Sequence, residues 1–162
     1  MVSVTEEFTN TSSESDDRHS KAAKIISSAV AWSAATGFVP VPVLDIAALA
    51  TVQTRMLMDL SALYDQEFSK ESARAVVSVL LGSLMPATLT GMLGSAIKLT
   101  PVVGTVVGAA SMVVLGSAAT YAIAKVFVRH FEGGGTIASF SVENIKEALK
   151  SEFDSAKVKG AK

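Results

Sequence analysis

Hydrophobic and polar positions divide this chain into four helical stretches and a fifth, shorter one. Residues 1–19 are polar and acidic, and an apolar–polar pattern then begins. A first helix is expected from about Ser20 to Ala35, with Ser20 as its N-cap. Gly37 and the Val39-Pro40-Val41-Pro42 run end it, because proline lacks an N–H and forces its predecessor into extended geometry. A second helix should run from about Val43 to Tyr64. Ile46, Leu49, Ala50, Met56, Leu57, Leu60 and Leu63 fall at helical spacing on one face, with Thr51, Arg55 and Asp59 opposite. From Ala75 to Ala124 the periodicity disappears into continuous apolar character. Lys98 is the one ionisable residue there apart from Tyr121.

That desert predicts a central hairpin over residues 75–124. Lys98, Thr100 and Pro101 suit its turn, and Pro86 should kink its first arm. Ala75–Ile97 and Leu99–Ala124 both exceed the roughly 20 apolar residues that span a bilayer. Small residues recur every fourth position in each arm, with Met112 the one exception. They are Ser83, Ala87, Gly91 and Ser95 in the first, and Gly104, Gly108 and Gly116, followed by Thr120 and Ala124, in the second. Such stripes let helix backbones approach closely where lipid removes the hydrophobic drive. Lys125, Arg129 and His130 suit the C-terminal dipole of the second arm, and Gly133-Gly134-Gly135 should terminate it. A last amphipathic helix is expected over residues 141–154, with Val142, Ile145, Leu149 and Phe153 as its stripe.

The fold expectation is therefore all-α: two proline-broken helical hairpins plus a C-terminal amphipathic helix, associated with a membrane. The expected division is a disordered acidic tail (1–19), a hydrophobic helical domain (20–140), the amphipathic helix (141–154) and a basic tail (155–162). The tail is expected to be disordered because five carboxylates against one Arg leave little apolar surface to offset chain entropy. Positive charge favours both termini in the cytoplasm. Lys70 and Arg74 precede the hairpin, Lys125 and Arg129 follow it, and Lys98 alone occupies the turn, which is expected outside. The competing reading is a cytoplasmic bundle whose apolar helices are buried in a homo-oligomer or larger complex.

Only 18% of residues are charged and the net charge is −1, too little for a nucleic-acid surface. There is no cysteine, which excludes disulfides and thiolate metal sites. His19 and His130 have no neighbours at metal-ligand spacing. No GxxxxGK[ST] phosphate loop, catalytic triad or carboxylate pair is present. The chain is thus expected to be non-enzymatic, without cofactor or metal. Candidate polar residues remain. Asp45 opens the second helix, Gln53 interrupts its apolar face, and Lys98 sits at the hairpin turn. These three would line a path if the chain were an oligomeric transport or pore component. Trp32 and Tyr121 are candidate interfacial anchors.

One resemblance adds to this. The segment from Ala29 to Pro42, then Asp45 and Gln53, Lys98–Gly104 and Phe131–Thr136 resemble the bacterial domain-of-unknown-function family 697. That family comprises YcjF-like hydrophobic helical proteins and is sometimes attached to small GTPase domains. The resemblance covers about residues 20–140. It implies a membrane-linked accessory role beside a small GTPase partner, and no catalytic residue. Membrane lipid, a protein partner and a second copy of the chain are the expected partners.

Overall fold

The computed structural model describes the backbone of residues 3–36, 42–84 and 103–160, and the side chains of residues 13–35, 47–84 and 113–160. Five helices and no strand account for the regular structure among the described residues. They are α1 (Ser3–Thr36), α2 (Pro42–Leu63), α3 (Lys70–Leu84), α4 (Val103–Glu132) and α5 (Val142–Gly160).

Local chemistry sets most of the ends. Pro42 stands at the first position of α2, where its missing N–H costs nothing. Gln66 N–H bonds the Ser61 carbonyl at 2.8 Å and Asp65 N–H bonds that of Ala62 at 3.2 Å. These are the paired bonds of a Schellman motif, and Asp65 takes its left-handed position at φ 55°. Ser69 caps α3, its hydroxyl accepting the Ser72 N–H at 3.1 Å. α4 ends in a second Schellman motif. Gly135 N–H bonds the His130 carbonyl, Gly134 N–H bonds that of Phe131, and Gly134 lies at φ 77°.

α1 differs from expectation, since it starts at Ser3 and takes in most of the segment expected to be a disordered tail. Two features support its polar half. Glu14–Arg18 (3.5 Å) and Asp17–Lys21 (2.6 Å) pair four residues apart with the acid leading, the favourable orientation. Arg18 and His19 then dock against α2 and α4. α5 also runs beyond its expected end at residue 154, to Gly160, where Lys157 and Lys159 complement its dipole.

Contacts fix the directions. Arg18 meets Tyr64 while Trp32 and Thr51 share a groove, so α1 and α2 are antiparallel. Ser33 bonds Thr120 and His19 pairs with Glu132, so α1 and α4 are also antiparallel. Gln53 bonds Thr120 and Tyr64 bonds Glu132, so α2 and α4 run parallel. Arg129 pairs with Glu152, and Gly160 lies beside Val114, so α5 returns along α4.

α4 is the axis of the bundle. Ala118, Ala119, Ala122, Ile123, Ala124 and Phe127 are buried. Around them close Ala22, Ile26 and Ala29 of α1, Met56, Leu57 and Leu60 of α2, Val77 and Leu80 of α3, and Leu149 and Phe153 of α5. This changes the reading of the apolar hairpin. Its second arm is covered by protein from Ala118 onward, and its first arm turns Val77 and Leu80 into the core. No helix of the described residues is long and apolar enough to cross a membrane. The hairpin turn, with Lys98 and Pro101, lies outside the described residues.

Candidate functional site

Where α1, α2 and α4 cross, small residues let the helices approach and three polar side chains meet. A Cβ on Gly116 would stand 3.5 Å from Leu49 Cδ1 and 3.7 Å from the Ser33 carbonyl oxygen, so the close approach is real but leaves room for a methyl group. One turn on, Thr120 is fully buried. Its hydroxyl donates to the Gly116 carbonyl (2.9 Å) and accepts from Gln53 Nε2 (3.1 Å). It also shares a 2.7 Å bond with the Ser33 hydroxyl. With its proton directed to Gly116, Thr120 accepts from both partners and its capacity is filled. Gln53 is buried too, and its Oε1 is the one buried side-chain polar atom without a partner among the described residues.

Beside this crossing, α1 and α2 enclose an open groove of about 690 Å³. Its floor includes Ile25, Ala29, Val52 and Met56. Lys24, Arg55 and Asp59 line its rim, and Trp32 closes one end. Trp32 is 65% exposed, which is unusual for the largest apolar side chain.

The opposite end of the bundle is polar and capped. Glu132 Oε1 accepts from the Tyr64 hydroxyl at 3.0 Å and pairs with His19 Nδ1 at 3.2 Å. Arg18 sits over the Tyr64 ring, 5.8 Å from its centre. Burial, the bond to Glu132 and the charge of Glu132 push the Tyr64 phenol up to about 12, with Arg18 opposing. Phe127 stacks on Phe140 at 4.2 Å and meets Phe131 edge-on at 5.8 Å. His130 Nε2 faces the Thr136 carbonyl oxygen at 2.9 Å, so a proton there donates to it. Ser139 Oγ lies 3.4 Å from the same nitrogen, the outline of a nucleophile–base pair. Its hydroxyl is, however, engaged with Thr136, accepting the backbone N–H at 2.9 Å and donating to the carbonyl at 3.0 Å. The arrangement pins the loop after α4.

The sequence candidates are distributed as follows. Ser83 lies in the last turn of α3 and donates to the Leu80 carbonyl at 2.8 Å. Gly104 and Gly108 lie in the first two turns of α4, and Gly116 lies at the three-helix crossing. Ala87, Gly91, Ser95 and Lys98 fall outside the described residues. Asp45 is in the first turn of α2, with its side chain outside them as well. Gln53 sits about three turns inside α2, facing the core. Tyr121 lines a shallow hollow with Val30 and Ala156. No group of three or more His, Asp or Glu side chains among the described residues could hold a metal ion.

Sequence reasoning did not find the Tyr64–Glu132–His19 cluster, which no local spacing signals. The Ser33–Thr120–Gln53 network was half visible. Thr120 stood on the small-residue stripe and Gln53 broke an apolar face, but nothing showed that they meet.

The chain matches the family described as "Domain of unknown function (DUF697)" over residues 5–157. It is 37% identical, over 142 residues, to magnetosome membrane protein 22 of Magnetospirillum gryphiswaldense, an alignment covering 87% of this chain and 73% of that protein. No solved structure matches the chain.

Proposed function

The chain belongs to the DUF697 family, and from that premise we propose that it is a non-enzymatic, membrane-associated helical accessory protein. The observation that carries this reading is the similarity, over most of the chain, to a relative named as a membrane protein. The sequence between the described parts supports it. From Met85 to Met112 the one ionisable residue is Lys98. That run is the membrane-inserting element, and the α1–α5 bundle is the head it holds at the surface. Both termini lie on the cytoplasmic side of a bacterial inner membrane, as the lysines and arginines flanking the run favour.

The head offers surface to a protein partner, and a small GTPase is the class that the family resemblance implies. Nucleotide hydrolysis would reside on that partner, since this chain carries no phosphate-binding loop. The pore reading is weakened by Gln53, which is bonded inside the bundle and not free to line a path.

The test is fractionation of the expressed chain. It should stay in the membrane pellet through carbonate and leave only with detergent. The natural absence of cysteine allows a clean topology probe. Ser155→Cys should react with a membrane-impermeant maleimide only after the cells are opened. Recovery of the chain in the aqueous fraction would sink the proposal.

A further inference from the structure

The bundle has two unlike ends. At one, Trp32 and Val158 are exposed, at 65% and 62%. They belong to the same end, because Lys159 and Gly160 share a hollow with Val30, Val113 and Val114. The described residues around this end carry Arg55, Lys157 and Lys159, with Asp154 paired to Lys157 at 3.3 Å and Asp59 on the groove that Arg55 lines. The other end is of mixed charge, with Glu132, Asp65, Glu67, Asp16 and Asp17 beside Arg18, Lys21 and Lys70. The chain's uncharged runs also leave from the Trp32 end. α1 stops there at Thr36, just before Gly37–Leu44. The described part of α3 ends at Leu84, just before Met85. α4 continues from Val114 back to Val103, about 16 Å beyond the tip of α5.

Exposed tryptophan, flanking cations and emerging apolar chain are what a membrane–water interface selects. The indole prefers headgroup depth, and lysine and arginine near anionic lipid gain about 1 kcal/mol each. We propose that the Trp32 end of the bundle is its lipid face. Trp32 sits at the headgroup level of an anionic phospholipid surface, with Arg55, Lys157 and Lys159 reaching the phosphates. The Tyr64–Glu132 end points into the cytoplasm. This rests on the membrane reading above and adds the orientation of the head.

Trp32 is the sole tryptophan, so the unmodified chain reports on the idea directly. The full chain is reconstituted into vesicles of mixed anionic and zwitterionic phospholipid, and flotation and emission are read on the same sample. The expected result is flotation, a blue-shifted Trp32 emission, and stronger quenching by lipids brominated near the headgroup end of the acyl chain than near its methyl end. Excess quenching by a brominated anionic lipid over a brominated neutral one should fall roughly fivefold on Lys159→Gln. Flotation with an unshifted emission, open to an aqueous quencher, overturns the orientation and leaves the membrane reading standing. Emission that shifts only when a protein partner is added overturns it equally, and makes the Trp32 groove a protein site. Failure to float overturns both.

Discussion

Replacing Thr120 by valine tests whether the crossing of α1, α2 and α4 is held as a coupled polar unit. Valine keeps the branched shape and exchanges the hydroxyl for a methyl group. The bonds to Gly116 (2.9 Å), Gln53 (3.1 Å) and Ser33 (2.7 Å) are lost together. The Gln53 amide then has neither its N–H nor its carbonyl oxygen bonded, in a residue with no exposure. One newly orphaned buried group costs about 1–3 kcal/mol. The buried methyl returns about 0.8 kcal/mol. A net loss of about 1–2 kcal/mol follows, lowering Tm by roughly 2–8 °C for a chain of this size.

Gln53→Leu works in the opposite sense. It gives up one hydrogen bond, worth about 1 kcal/mol net, and also removes a carbonyl oxygen that has no partner. It should be neutral or stabilising. In the Gln53→Leu background there is no amide left to orphan, so Thr120→Val should cost about 1 kcal/mol less than in the wild type. Denaturant unfolding in mild detergent, followed by far-ultraviolet circular dichroism, measures all four corners of this cycle. Additivity within about 0.5 kcal/mol would mean that the two side chains do not depend on each other. A loss above about 2 kcal/mol for Gln53→Leu alone would show that its carbonyl oxygen is bonded in solution.

Four further variants have outcomes set by the same structure. A Cβ on Gly82 meets nothing within 4 Å, so Gly82→Ala should raise stability by about 0.8–1 kcal/mol through helix propensity; Gly116→Leu should instead lower it by at least about 1 kcal/mol through overpacking against Leu49, both read as shifts in the unfolding midpoint. Asp65 holds a left-handed conformation at φ 55°, so Asp65→Gly should stabilise the end of α2 by about 1 kcal/mol, and an unchanged midpoint would refute the strain. The Tyr64 phenol, raised chiefly by burial and then by Glu132, favours its protonated form in the fold. Its contribution is complete below the unfolded pKa of about 10 and is lost as pH rises through about 12. In a Tyr121→Phe background, Glu132→Gln should bring the phenolate absorbance transition down toward 10, and an unmoved transition would remove Glu132 from the cause.

What the chain showed on its face was local. The proline run ahead of the second helix and the triple glycine after Glu132 marked breaks that the structure keeps, since each acts on its own neighbours in the chain. The polar half of α1 was missed because composition counts only the apolar surface a segment can bury. Its helix is supported by Arg18 over Tyr64 and His19 against Glu132, partners 46 and 113 positions away along the chain. The candidate site divides in the same way. Gly116, Thr120 and Gln53 each stood out in their own helices. The register that brings Gln53 to Thr120 and Leu49 to Gly116 is a tertiary fact, with no spacing rule to predict it.

That register also bears on how the apolar run can enter a bilayer. A helix hydrophobic all round is surrounded by protein or by lipid, and α4 from Ala118 onward is surrounded by protein. Alanines on every side are what allow four other helices to crowd it in so short a chain. Arg55, Lys125 and Lys157 bar these levels of the bundle from hydrocarbon. The residues left for lipid are Met85–Ile97 and Leu99–Leu115, thirteen and seventeen positions. Lys98 separates them, and the lysines and arginines on either side favour an outside position for it. A single Lys98→Cys in the cysteine-free chain tests that position. Labelling by an impermeant maleimide on the outer face of intact cells is the expected result. Labelling only after the cells are opened would refute the outside position and the topology that charge counting favours.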